Sequence, residues 1–110
     1  MALTPPAQQL LNRLNDILAK AKTKPKGSAY IDEALQVSLK GMTTADMLTL
    51  EPPTVDAGIW TSDPGFCRRL GARLFGVSPE AVDELPWTHT IFFQQIVTAN
   101  FIRCLEEAVP

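Results

Sequence analysis

The sequence predicts an all-α protein, a small bundle of five to six helices that forms one domain over residues 1–110. Apolar residues recur at three- and four-residue spacing along most of the chain, which is the helical period. Thr, Ser or Asp followed by proline opens several of these segments, and glycine or proline closes them. The 110 residues are 45% hydrophobic and 20% charged, which provides enough apolar side chains for one modest core.

The first helix is predicted to start at Thr4, because Pro5 and Pro6 are tolerated in a first turn and the threonine hydroxyl can cap free N–H groups. It should end near residues 22–23, since Pro25 disfavours a helical conformation in the residue before it. One face of this helix is apolar: Leu10, Leu14, Ile17 and Ala21.

A lysine-rich linker is predicted near residues 22–28, after this amphipathic helix. Lysines alternate across its start, at Lys20, Lys22, Lys24 and Lys26. We interpret them as favourable charge at a helix C-terminus followed by a solvated linker. The alternative is a site that meets an acidic partner or a nucleic acid.

Two patterns compete over residues 28–41. Ser28 can cap a helix that places Ile31, Leu35 and Leu39 on one side and ends at Gly41. A short strand or hairpin near residues 34–40 is the alternative, because apolar and polar residues alternate there. We favour the helix, since a lone short strand has no partner to pair with.

A short helix follows, capped by Thr43 or Thr44 and closed before Pro52 and Pro53. Residues 51–62 then form an irregular connection. Trp60 lies within it, and we expect its ring to pack on the core rather than to face a partner.

A helix-turn-helix pattern occupies the segment RRLGARLFGVSPEAVDELPW. Its first helix starts at Asp63–Pro64, Ala72 is the small residue needed for close packing, and Gly76 marks the turn. The second helix starts at Ser78–Pro79 and carries Val82 on its core face. That helix has three acidic residues and no basic one, so it is poorly suited to reading DNA in a major groove.

The last segment, residues 88–109, is predicted to be a helix with apolar residues on nearly every side. Such a helix is normally buried on more than one face. It is therefore either the central core helix or a helix whose remaining face meets another subunit. The candidate partner-binding residues are aromatic: Trp87, Phe92, Phe93 and Phe101.

Charge and hydropathy exclude several classes of function. The net charge of −2 divides into +3 over residues 1–40 and −5 over residues 41–110, which disfavours nucleic acid as the main ligand. No apolar run reaches the roughly 18 residues of a membrane span. The first residues, MALTPPAQQLL, lack the pattern of a signal peptide, so we expect a cytoplasmic chain.

Few side chains are candidates for catalysis. Cys67 and Cys104 lie among apolar residues, where a small buried thiol is the usual explanation. His89 has no second metal ligand one turn further on, because position 93 is Phe. The sequence also contains no GxGxxG or GxxxxGK[ST] phosphate-binding motif and no GxSxG nucleophile motif. We therefore predict no enzyme activity, no catalytic residues, no metal and no cofactor.

Residues 43–102 resemble the small phage tail assembly chaperones. The resemblance rests on TTADMLTLE, RRLGARLFG, VSPEAVDELPW and the terminal helix TIFFQQIVTANFI, in this order. It implies a protein that coats the hydrophobic helical tape measure protein during tail assembly, often as an oligomer, in the host cytoplasm. The residues themselves are compatible with a non-enzymatic, self-associating protein-binding module. A helix-turn-helix transcription regulator or adaptor is the alternative.

Overall fold

The computed structural model describes residues 2–54 and 58–109. Within them it forms six α-helices and two short 3₁₀ helices, and no strand, so the predicted all-α bundle is confirmed. The α-helices are α1 (Pro5–Ala21), α2 (Glu33–Lys40), α3 (Thr44–Thr49), α4 (Pro64–Phe75), α5 (Pro79–Asp83) and α6 (Trp87–Ala108). The 3₁₀ helices span Lys26–Ser28 and Trp60–Ser62. The predicted connection at 51–62 includes residues 55–57, which lie outside the described residues.

Thr4 precedes α1 as predicted, but its hydroxyl does not cap the helix. The Thr4 backbone N–H donates to Glu84 Oε1 at 3.0 Å and the hydroxyl donates to Glu84 Oε2 at 2.5 Å. The predicted helix start is confirmed, whereas the predicted role of the hydroxyl is wrong, because its partner Glu84 lies 80 residues further along the chain. The contact ties the start of α1 to the end of α5.

The alternative for residues 28–41 is resolved in favour of a helix. Leu35 and Leu39, one turn apart, are buried, whereas Val37 between them is 66% exposed. A strand would place all three side chains on one face. The helix cap is Asp32, whose carboxylate accepts from Leu35 N at 3.0 Å, and not the predicted Ser28, which lies in the first 3₁₀ helix.

The later helix boundaries follow the residues that predicted them. Thr43 and Asp46 form a capping box at α3. Asp63 accepts from Phe66 N at 2.8 Å to cap α4. Gly76 ends α4 in the left-handed conformation with φ 70°, which glycine adopts without steric cost.

Arg69 of α4 closes the C-terminal end of α3. Its guanidinium donates to the carbonyl oxygens of Leu50 at 2.6 Å and Glu51 at 3.0 Å. Glu51 has a positive φ of 54°, which turns the chain out of the helix. Carbonyl groups at a helix end lack partners within the helix, so Arg69 supplies the hydrogen-bond donors that these carbonyls would otherwise lack.

The last helix, α6, lies at the centre of the bundle and packs against α1, α2, α4 and the second 3₁₀ helix. Its buried residues face a single core. The largest fully buried apolar side chains of that core are Leu10, Leu14, Leu35, Phe66, Leu70, Ile96 and Val97. The outward face of α6 is bordered by Tyr30, Ile59 and Ser62, and it forms the site described next.

Candidate functional site

The four aromatic residues predicted to bind a partner occupy different environments. Phe93 and Phe101 are 3% and 8% exposed and belong to the core. Phe93 packs near Phe75, with ring centroids 6.0 Å apart. Phe92 is half-buried, and Trp87 is 76% exposed at the start of α6. Only Trp87 and Phe92 are therefore available at the surface of this chain.

A groove runs along the outward face of α6, with a volume of about 800 Å³. The residues that form its floor are Ile91, Gln94, Gln95, Thr98, Ala99 and Ile102. Tyr30, Gly58, Ile59 and Ser62 also line it. None of these ten residues carries a charge, and most of the surface they expose is apolar. We call this surface the α6 groove.

Two smaller depressions continue the α6 groove. One, of about 160 Å³, shares Ala99 and Ile102 with it and adds Gly27, Ile31 and the charged residues Arg103 and Glu106. The other, of about 220 Å³, shares Ile59 and ends at Leu105, which is itself exposed. The outward face of α6 is thus concave and largely apolar over about three turns.

A buried polar network holds the segment beside Tyr30 against α6. The Asn100 side chain is completely buried. Its Oδ1 accepts from Asp32 N and from Gln36 Nε2, both at 3.0 Å, and its Nδ2 donates to Tyr30 O at 2.9 Å. Because each of these groups is paired, the network fixes the position of this segment over the helix.

Aromatic packing positions the opposite segment. Trp60 lies edge-on to Phe66 with ring centroids 5.6 Å apart, and 6.5 Å from the Phe101 centroid. Trp60 therefore packs one side of its ring against the core, as predicted, but the residue remains 36% exposed. These contacts hold the 3₁₀ helix beside Ile59. The segments on both sides of the α6 groove are therefore held in place by residues that themselves lie outside it.

Most of the α6 groove is not predicted by the sequence. The predicted helix has apolar residues on nearly every side, and this pattern does not separate the outward face of Ile91 and Ile102 from the buried face. One feature of the sequence does indicate an uncharged surface here: residues 87–102 contain no Asp, Glu, Lys or Arg. Tyr30 and Ile59 could not be found this way, since they reach α6 only through the tertiary fold.

The candidate catalytic side chains have structural partners. Cys67 is buried in α4, and burial raises the pKa of its thiol to about 12. Burial also raises the pKa of Cys104, whose Sγ donates to Gln36 Oε1 at 3.2 Å. His89 Nε2 lies 2.9 Å from Asn15 Oδ1. Among the described residues, no group of three or more His, Cys, Asp and Glu side chains is placed to hold a metal ion.

The two helices of the predicted helix-turn-helix pattern are present as α4 and α5, joined through Gly76, and Ala72 and Val82 are buried. Its second helix is only five residues long. Arg68 of the first helix binds Asp83 of the second through two hydrogen bonds of 2.7 Å each. Arg68 is therefore already paired within the motif and is not free to contact a phosphate, although the pair is partly exposed.

The lysine run after α1 is partly engaged in local contacts. Lys20 pairs with Asp16 at 3.0 Å, one turn earlier in α1. Lys24 Nζ donates to the carbonyl oxygen of Ile31 at 2.7 Å, across the linker. These contacts are compatible with the interpretation of the run as a solvated helix end.

Comparisons with known protein families, with curated proteins and with solved structures found no match to this chain. None of the helices within residues 2–54 and 58–109 is long and apolar enough to cross a membrane.

Proposed function

We propose that the protein is a non-enzymatic protein-binding module whose α6 groove holds an apolar helix of a partner protein. The observation that carries this proposal is the uncharged lining of the groove, in a chain that has 10 Lys and Arg and 12 Asp and Glu residues. A charged ligand would lose hydration there without gaining a charged partner. Moving an apolar helix face from water into the groove is favourable, because it removes apolar surface from water.

The shape of the α6 groove suits a helix. Helix-in-groove recognition uses side chains at i, i+3 or i+4, and i+7, which form a single apolar stripe. The floor of the groove presents a matching stripe, with Ile91, Thr98 and Ile102 spaced along the α6 face. Trp87 lies exposed beyond Ile91, and tryptophan is a frequent anchor at protein interfaces.

The resemblance of residues 43–102 to phage tail assembly chaperones supplies a candidate partner. In this proposal the groove shields a segment of a hydrophobic, helical tape measure protein in the host cytoplasm until the tail is assembled. The protein then acts as a chaperone that self-associates. A helix that would aggregate in water is the kind of ligand that an uncharged groove accommodates.

The test is a binding titration with a defined probe. A fluorescein-labelled amphipathic helical peptide, with Leu and Ala on one face and Ser and Gln on the other, is titrated with the protein while its anisotropy is measured. We expect saturable binding by the wild-type chain. Ile102→Glu places a charge on the groove floor and should weaken binding at least about tenfold, equivalent to about 1.4 kcal/mol.

Val37→Glu is the matched control, because Val37 is an exposed apolar residue that does not line the α6 groove. It should bind the peptide as the wild type does. Absence of saturable binding by the wild type, or equal loss in both variants, would contradict the proposal.

The second candidate is a helix-turn-helix transcription regulator or adaptor, because α4 and α5 follow one another across a tight turn at Gly76. Its distinguishing property would be binding to duplex DNA that weakens steeply as salt rises. Such binding, if Arg68→Ala abolished it while Ile102→Glu did not, would replace the proposed function.

A further inference from the structure

We propose that the partner helix held in the α6 groove carries acidic residues beside its apolar stripe, and that Lys24 and Arg103 bind their carboxylates at the Ile102 end of the groove. This inference rests on the proposed function, because it concerns the same helix in the same groove. It adds the charge of the partner: an apolar helix with an acidic border, rather than a neutral or a basic one.

Two cations flank the depression that continues the α6 groove at Ile102. Lys24 Nζ donates to the carbonyl oxygen of Ile31 at 2.7 Å, and Arg103 Nη2 donates to the carbonyl oxygen of Gly27 at 3.3 Å. Gly27 and Ile31 both line this depression, as does Arg103 itself. Both positive charges therefore lie at the edge of one concave surface.

These hydrogen bonds hold the two cations without neutralising them. A backbone carbonyl carries no net charge, whereas an ammonium group has three N–H donors and a guanidinium has five. Lys24 and Arg103 therefore keep donors for a carboxylate. A side chain that is already held in place also loses less conformational freedom when a ligand binds. Lys20 differs, because it is paired with the carboxylate of Asp16 at 3.0 Å.

Positive charge exceeds negative charge around this depression. Lys26, which directly precedes Gly27, is exposed and adds a third cation to Lys24 and Arg103. Among the described residues that line the groove and its two depressions, Glu106 is the one carboxylate. Three cations thus stand against one carboxylate at this end of the groove.

Carboxylates further along the same elements have cations of their own. Asp32 lies 3.5 Å from Arg13, and Glu107 lies 2.7 Å from Lys40. Each pair is close to neutral and offsets little of the local excess. The net charge of −2 for the whole chain does not oppose an acidic partner, since exposed charges more than about 8 Å apart are largely screened at physiological ionic strength.

The opposite border of the α6 groove does not have this character. Gly58, Ile59 and Ser62 line that side within the described part of the chain, and none of them is charged. A carboxylate on the partner therefore gains an ionic contact at the Ile102 end, on the side of Tyr30. This asymmetry would hold a partner with acids at one end in a single direction.

An acidic helix satisfies the whole surface, whereas a nucleic acid satisfies only part of it. The apolar stripe of a helix covers the groove floor while its carboxylates meet Lys24 and Arg103. Duplex DNA carries one negative charge for about every 1.7 Å of its axis and requires an extended basic surface. It would meet the cations and leave the apolar floor in water.

Three fluorescein-labelled helical peptides test the acidic border. They share an apolar face of Leu and Ala and differ at four positions beside it, two near each end, which are all Gln, all Glu or all Lys. Either direction of the bound helix then brings a substituted residue to the Lys24 end. At about 50 mM salt, the Glu peptide should bind the wild type about fivefold more tightly than the Gln peptide, the effect expected of two exposed ion pairs. The Lys peptide should bind more weakly than the Gln peptide.

The double variant Lys24→Gln, Arg103→Gln should reduce the preference for the Glu peptide to less than about twofold. Its affinity for the Gln peptide should stay at the wild-type value, which shows that the variant is folded. Lys20→Gln with Arg73→Gln is the matched control, because it also removes one lysine and one arginine, each paired with an acid elsewhere. It should keep the fivefold preference. A high salt concentration should reduce that preference by screening.

The inference and the proposed function fail separately. Equal binding of the Glu and Gln peptides by the wild type would overturn the inference and leave the proposed function standing. A preference that persists in the Lys24→Gln, Arg103→Gln variant would place the acid contacts elsewhere and overturn the inference alone. Absence of saturable binding by every peptide would overturn both.

Two further measurements locate the bound acids. Ile91→Gln, at the other end of the groove floor, should weaken the Glu and Gln peptides by the same factor. Unchanged binding of the Glu peptide to this variant would mean that the carboxylates bind outside the groove, and both proposals would fall. An unlabelled DNA duplex should not displace the Glu peptide at about 150 mM salt. Displacement from the wild type, but not from the Lys20→Gln, Arg73→Gln control, would also count against the inference, because the two proteins share Lys24 and Arg103; displacement from both would assign these cations to nucleic acid and overturn it.

Discussion

Gly71 of α4 lies directly against the ring of Phe93 of α6. A Cβ atom built on Gly71 would stand 2.1 Å from Phe93 Cζ and 2.9 Å from Cε1 and Cε2. Phe93 is buried and packs near Phe75, so its ring has little space into which to move. The crossing of α4 and α6 therefore requires a residue without a side chain at position 71.

Gly71→Ala should lower the free energy of unfolding, although alanine is the better helix former by about 1 kcal/mol. Overpacking a core costs about 1–3 kcal/mol, and a contact of 2.1 Å belongs at the upper end, so we expect a net loss of about 2 kcal/mol. Urea denaturation measures it. Gly27→Ala is the control, since nothing lies within 4 Å of a Cβ there, and it should change stability by less than about 0.5 kcal/mol. Equal stability of Gly71→Ala and the wild type would contradict the close approach.

Asn100→Leu should destabilise the fold by about 2–4 kcal/mol, because it leaves the partly buried Asp32 N–H and Tyr30 carbonyl without this partner, and an unpaired buried group costs about 1–3 kcal/mol. The side chains are similar in size, so the loss would come from hydrogen bonding rather than from a cavity. Asn12→Leu on the exposed face of α1 is the control and should be close to neutral. Similar losses in both variants would mean that the network is not formed.

Acidification should remove the contact between Thr4 and Glu84. The Thr4 hydroxyl and then its backbone N–H lower the pKa of the Glu84 carboxyl below its ordinary value of 4.5. A lowered folded-state pKa contributes stability that is complete above about pH 4.5 and is lost as the pH falls through the folded value. Glu84→Gln should therefore be less stable than the wild type at pH 7, and the difference should shrink below pH 4.5.

A double-mutant cycle tests whether Glu84 stabilises the fold through its contact with Thr4. If Glu84 acts through Thr4, Thr4→Ala and Glu84→Gln together should cost less than the sum of the two single variants at pH 7. Thermal unfolding between pH 3 and pH 7 supplies the data. Additive losses, or a difference that grows on acidification, would refute the assignment.

Cys67 should not react with iodoacetamide at pH 8 in the folded protein. Burial holds its thiol pKa at about 12, so very little thiolate is present, and the side chain is also inaccessible. Cys104, which is half-buried, should react faster, and both should react in urea. Mass spectrometry locates the label. Rapid labelling of Cys67 in the native state would revive it as a candidate nucleophile.

The sequence predicts those features of the fold that depend on neighbouring residues. Asp63, Pro64 and Gly76 bound α4 because capping and left-handed turns are decided within a few positions. The final helix starts at Trp87 and ends at Ala108, one residue before each predicted end.

What the sequence does not predict are contacts between distant positions. Asn100 interrupts an apolar helix when it is considered alone, and its role depends on Tyr30, Asp32 and Gln36, which are at least 64 residues away. Phe93 and Phe101 have the same residue type and helix as Phe92, yet only the packing of α4 and the second 3₁₀ helix decides that they are buried. The α6 groove likewise exists only after two distant segments lie on either side of one helix.

The two tryptophans occupy environments that differ enough to serve as separate optical reporters. Trp60 contacts Phe66 and Phe101, so its emission should respond when the core opens. Trp87 is largely in water and lies beyond the Ile91 end of the α6 groove, so its emission should respond when a partner covers that groove. With Trp60→Phe and Trp87→Phe, unfolding and association become spectroscopically distinct in the same molecule, without any attached dye.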